Sequence, residues 1–143
     1  MNDIYNKSTD DLKSEMKSHE LKKFLTENEE EFIQPDLNVY IQEIVSHQAL
    51  SKAELARRSG MSTVYLYQLL SGRRSPSRDR LICLCIGLGS TLEETQEILK
   101  RSRFALLYLK VRRDAILIFG LNNHLEINEI NDLLYENGEE TLI

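Results

Sequence analysis

Long apolar runs are scarce in this chain of 143 residues: the longest, LICLCIGLG and AILIFGL, fall far short of the ~20 residues that cross a bilayer. A membrane protein is therefore not expected. The first residues, MNDIYNKSTDD, lack the basic start and apolar centre of a signal peptide, so the expected location is the cytoplasm. Only two cysteines occur, Cys83 and Cys85. Two positions apart at helical pitch they point to opposite sides, which suits neither a disulfide nor a C-x-x-C redox pair. They read as small core residues. Catalytic patterns are missing as well. His19, His47 and His124 have no neighbours at metal-ligand spacing, and H-E-x-x-H is absent. The GLG at 87–89 lacks the spacing and the preceding strand of a phosphate loop. Glu93 and Glu94 sit where acids favour the first turn of a helix. No catalytic or metal site is assigned, and the protein is expected to be a non-enzyme that works without a cofactor.

What remains is a composition of 41% hydrophobic and 29% charged residues, that of a soluble globular protein large enough for a real core. The net charge of -5 is unevenly spread. Residues 1–36 carry five Lys and ten Asp or Glu, and residues 37–50 add only Glu43. Residues 51–80 hold seven Lys or Arg against Glu54 and Asp79, while residues 81–143 return to an acidic excess, with ten acids and six bases. A basic island in an acidic chain is what a local phosphate-contact surface needs, although a solvated charged face gives the same count.

No strand pattern persists, and almost every segment repeats at helical period. Residues 9–33 are polar, with Leu12, Met16, Leu21, Phe24, Leu25 and Phe32 as sparse anchors for one or two short helices. Pro35 and Asp36 then fit the start of a new helix, in which Val39, Ile41, Ile44 and Val45 form the packed side. Ser51 and Glu54 suggest a capping box. Gly60 supplies a left-handed stop, Ser62 caps the next helix, and Gly72 ends it. Pro76 and Ser77 start another helix, and Thr91 with Glu94 makes a second capping box. The spacing predicts helices over about 36–48, 52–59, 63–71, 77–87, 92–101, 111–122 and 127–136, with ends loose by two to four residues.

Shifting residues 78–103 onto 113–138 aligns two similar segments without a gap. Only Arg78/Arg113, Asp79/Asp114, Glu94/Glu129 and Leu99/Leu134 are identical. The apolar columns agree better, among them Leu81/Ile116, Leu84/Phe119 and Ile98/Leu133. Each segment reads as an apolar helix, a tight turn and a helix with an acidic start, that is, an αα-hairpin.

The stretch LSKAELARRSGMSTVYLYQLLSGRRSPSRDRL, residues 50–81, resembles the helix-turn-helix of the Xre family, the Cro and phage-repressor type of DNA-binding domain. Ala56 is small where two helices cross, Gly60 permits the positive φ of the turn, and Met61 closes the core behind it. Leu55, Leu66 and Leu69 are the buried knobs, and G-R-R-x-P-S matches the closing loop. The resemblance covers about residues 36–101. It implies an all-α fold, a five-helix repressor-like helix-turn-helix domain; outside it, the residues themselves read as an acidic helical N-terminal arm (1–35) and a C-terminal αα-hairpin (102–143). That hairpin is expected to lie on the domain or on a second subunit, and is the candidate dimer surface.

In that family the second motif helix enters the major groove. Carried over, Thr63, Val64, Tyr67 and Gln68 are the candidate base contacts: Gln68 through its amide to adenine, Val64 or Thr63 to a thymine methyl. Lys52, Ser62, Ser71, Arg73 and Arg74 are the candidate phosphate contacts, which position the protein without specifying sequence. Arg57 and Arg58 are weaker candidates. Two departures stand out. Leu70 occupies a position where many relatives carry Glu, so packing is expected to replace a polar tie. Val64 and Tyr67 make the outward face more apolar than usual, which fits a protein-binding surface too. The implied function is a sequence-specific transcriptional regulator bound to double-stranded DNA as a homodimer. The alternative is an adaptor that uses the same face for a protein partner.

Overall fold

Capping side chains decide where the helices begin. The computed structural model describes residues 8–18, 20–27 and 37–142, which are helical with short connections and contain no strand. It divides into two units, Met1–Gln34 and Pro35–Ile143. The first holds α1 (Thr9–Ser18) and α2 (Leu21–Glu27), which pack on each other. His19, Phe32, Pro35 and Asp36 lie outside the described residues.

In the second unit α3 spans Leu37–Ser46, α4 Lys52–Arg58, α5 Thr63–Leu70, α6 Arg78–Leu88 and α7 Leu92–Arg101. Ser51, Ser62, Ser77 and Thr91 each accept a hydrogen bond from the backbone N–H three residues on, closing the first turns of α4 to α7. The expected box at Ser51 is only half formed. The Glu54 carboxylate turns away to Arg57 and Arg58, whose guanidiniums offer stronger, charged donors than the backbone N–H. At Thr91 the reciprocal bond from Thr91 N to Glu94 Oε1 is made, at 2.8 Å.

Helix α4 lies on α5 and α6, and α3 on α5 and α7. Leu55, Ala56, Met61, Leu66 and Leu69 are buried as the motif requires, together with Leu81, Ile82 and Leu84 of α6. The approach of α4 to α6 depends on Gly87: a Cβ there would stand 2.1 Å from Ser59 Oγ and 2.9 Å from its backbone nitrogen. Gly60, at φ +64, makes the turn between α4 and α5.

Two further helices, α8 (Arg112–Asn122) and α9 (Ile127–Glu136), complete the unit. Their apolar side, with Leu117, Leu121, Ile130 and Leu134, joins the same core as the helix-turn-helix residues. The 35-residue offset seen in the sequence reappears in the backbone and in its hydrogen bonds. Gly89 and His124 take φ +67 and +52 after α6 and α8, and Arg103 and Gly138 take φ +63 and +73 after α7 and α9. Arg78 Nε donates to Ala105 O, and Arg113 Nε to Glu140 O, both at 2.9 Å. Leu107 N donates to Gln96 Oε1 at 2.8 Å, and Leu142 N to Asn131 Oδ1 at 2.7 Å. Each copy is thus two helices and a returning segment, residues 78–107 and 113–142.

The copies face each other reciprocally. Arg78 pairs with Asp114 at 3.1 Å, and Arg113 pairs with Asp79 at 3.0 Å. Helix α6 packs on α9 while α7 packs on α8. That is the pattern of an isologous contact, in which each partner offers the same surface to the other. The two copies therefore close on themselves within one chain.

Candidate nucleic-acid interface

Helix α5 is short because its ends are fixed independently. Ser62 Oγ accepts from Tyr65 N at 3.0 Å at the start, and Gly72 with φ +78 turns the chain away after it. Leu66, Leu69 and Leu70 face the core and are nearly inaccessible. On the other side, Val64 is 66% and Tyr67 51% exposed, and Thr63 is exposed beside them. The expected outward face is therefore the outward face.

Leu70 is buried as a packing residue, and the polar tie that its side chain cannot supply is made elsewhere. Gln42 Nε2, from α3, donates to the Leu70 carbonyl, one of the backbone acceptors that a helix end leaves open. Gln42 was not among the residues singled out from the sequence. Its spacing of 28 residues from Leu70 gives no local signal.

Three cations of the basic island, Lys52, Arg74 and Arg80, reach the aromatic rings of this helix. Lys52, at the start of α4, stands with Nζ 5.1 Å from the centre of the Tyr67 ring, within the range of a cation–π contact. Arg74 lies 5.1 Å and Arg80 4.8 Å from the Tyr65 ring centre. Arg74 Nε also donates to Gln68 Oε1 at 2.9 Å, so Gln68 is half-buried rather than fully outward. Arg73 is exposed in the loop; its backbone N–H donates to the Gln68 carbonyl at 2.9 Å, while its side chain makes no hydrogen bond or ion pair among the described residues. Ser71 Oγ donates to the Gln68 carbonyl at 3.1 Å, and Ser62 serves as the cap of α5. Arg57 and Arg58 both bind Glu54, whose carboxyl these hydrogen bonds hold at about 2, well under its ordinary value. Tyr65 and Arg80 were not foreseen. They belong to different helices fifteen positions apart, and only the fold brings them together.

A capped short helix with an exposed outer face, set after a glycine turn and flanked by Lys52, Arg73 and Arg74, defines a helix-turn-helix module. The comparison with known families agrees: residues 39–98 match the family model of a helix-turn-helix domain, which supports a helix-turn-helix DNA-binding protein. No curated protein and no solved structure matches the chain. Among the described residues, no three His, Cys, Asp or Glu side chains form a group able to hold a metal ion, and no helix is long and apolar enough to cross a membrane. Cys83 and Cys85 are buried thiols whose burial raises them to about 11 and about 12.

Proposed function

We propose that this protein is a cytoplasmic, sequence-specific transcriptional regulator of the Xre type that sets α5 in the major groove of double-stranded DNA. The reading is carried by one observation: the only strongly basic stretch of an acidic chain contains the one helix that the motif would present to DNA, with Lys52 and Arg74 set against its side chains. Thr63, Val64, Tyr67 and Gln68 then meet base edges. Lys52, Arg73 and Arg74, with the hydroxyls of Ser62 and Ser71, approach the backbone. A homodimer would place two such helices on half-sites about 34 Å apart.

Salt dependence tests the division of labour. Replacing Arg73 by Ala should weaken binding to every duplex alike and lower the log–log salt slope by about 1. Replacing Tyr67 by Ala should instead reduce the ratio of specific to nonspecific affinity, with little change in slope. A second reading has support in the 66% exposure of Val64 and 51% exposure of Tyr67, since an apolar outer face suits a protein partner. If changes at Val64 and Tyr67 abolish capture of one protein and leave duplex binding unaltered, the module is an adaptor.

A further inference from the structure

We propose that Arg74 is a specificity-determining positioning residue, which fixes the sense of the Gln68 amide so that α5 selects a base edge presenting acceptors. The proposal rests on the reading of α5 as a base reader. A guanidinium only donates, so the amide atom facing Arg74 must be the oxygen, and Arg74 Nε meets Gln68 Oε1 at 2.9 Å. The flipped amide would set a donor against a donor. Arg74 is held in turn by its stacking on Tyr65, 5.1 Å from the ring centre, a ring that Arg80 covers at 4.8 Å. Gln68 Nε2, with two hydrogens, has no partner among the described residues and is left as the free donor of the side chain.

The major groove offers such a donor two kinds of edge. Guanine presents N7 and O6, adenine N7 and thymine O4, all acceptors, whereas cytosine presents its N4 amine, a donor. An amide whose oxygen is committed to Arg74 therefore favours guanine, where both hydrogens find acceptors, over adenine and thymine, which each offer one. Cytosine is disfavoured because it meets donor with donor. Without Arg74 the amide is free to turn, and the oxygen is then able to accept from cytosine. The role is additional to the backbone approach of the other guanidinium nitrogens, which by itself would be blind to the base.

The experiment first selects a preferred duplex from a randomised pool with the full chain. Wild type, Arg74→Ala, Gln68→Ala and the double variant are then titrated against that duplex and all its single-base-pair changes. Arg74 is exposed, so these variants should keep the fold, which circular dichroism checks. The expected result is that Arg74→Ala lowers the guanine-over-cytosine preference at one base pair by about five- to tenfold. In the Gln68→Ala background the same change should have no further effect on that preference, the non-additivity of two side chains acting as one. Unchanged base preferences, with uniform weakening on every duplex and a salt slope smaller by about 1, would overturn the proposal and leave Arg74 with its phosphate contact alone. If the wild-type chain enriches no duplex at all, the base-reader assignment fails, and the proposal with it.

Discussion

Where residues 78–107 place Leu84, residues 113–142 place Phe119; the first is wholly buried and the second is 53% exposed. The same contrast recurs at Leu88, buried, against the exposed Asn123, and at Ile98, wholly buried, against the half-buried Leu133. Yet the two copies share their turns, their returning segments and their paired arginines. The difference lies in what covers them. Helices α3 and α4 pack on the first copy and carry α5, so that this copy serves as the floor of the helix-turn-helix module. The second copy packs on the first and leaves its corresponding side open. Duplicated folds thus need not have duplicated roles: one copy supports the motif, and the other braces it from behind.

The largest test of this contrast is a pair of matched truncations. Leu84→Ala should cost about 3 kcal/mol in urea denaturation, as expected for emptying a closed core site. Phe119→Ala should cost less than about 1 kcal/mol, because its side chain is already half in water. Equal losses would mean that the face around Phe119 is covered after all.

The reciprocal ion pairs come next. Asp114 is nearly buried and also accepts from Tyr108 N at 3.1 Å, whereas the Asp79 side chain is 34% exposed. Asp114→Ala leaves Arg78 partly buried without its partner and should cost about 3 kcal/mol. Asp79→Ala should cost about 1 kcal/mol, since solvent screens what is lost. Reversal of this order would show that the copies are not braced as described.

A smaller effect separates the two returning segments. Gln96 makes both hydrogen bonds of the Leu107 backbone, each 2.8 Å, while Asn131 makes one to Leu142 N. Gln96→Ala should therefore cost about 2 kcal/mol and Asn131→Ala about 1 kcal/mol, one net hydrogen bond apart.

The thiols give the mildest readout. With burial holding Cys83 and Cys85 at about 11 and about 12, both remain protonated at neutral pH. Iodoacetamide should label them slowly in the native protein and fast in denaturant, since the thiolate is the nucleophile. Rapid native labelling would place α6 outside a closed core.

Much of this architecture is legible in the residues. Ser51, Ser62, Ser77 and Thr91 mark helix starts and Gly60, Gly72 and Gly89 mark stops, because caps and left-handed turns are local chemistry. The left-handed turns at Arg103 and His124, just after α7 and α8, are harder to see, since neither is a glycine although both take positive φ. The alignment of Arg78 with Arg113 and of Asp79 with Asp114 is visible in the sequence, but not that each arginine crosses to the other copy's aspartate. The expected outward face of α5 is legible from its period. The tie between Arg74 and Gln68 and the stacking on Tyr65 are not, because both depend on how the loop after Gly72 folds back.

We propose that α5 and the cations beside it read a DNA sequence. Selection of a randomised duplex pool by the full chain, followed by titration of the recovered sequence against random duplex at several salt concentrations, tests it most directly. One enriched sequence is expected, bound at least about tenfold more tightly than random DNA at each salt concentration, with affinity falling as salt rises. Recovery of no preferred sequence, or equal binding of all duplexes, would contradict it.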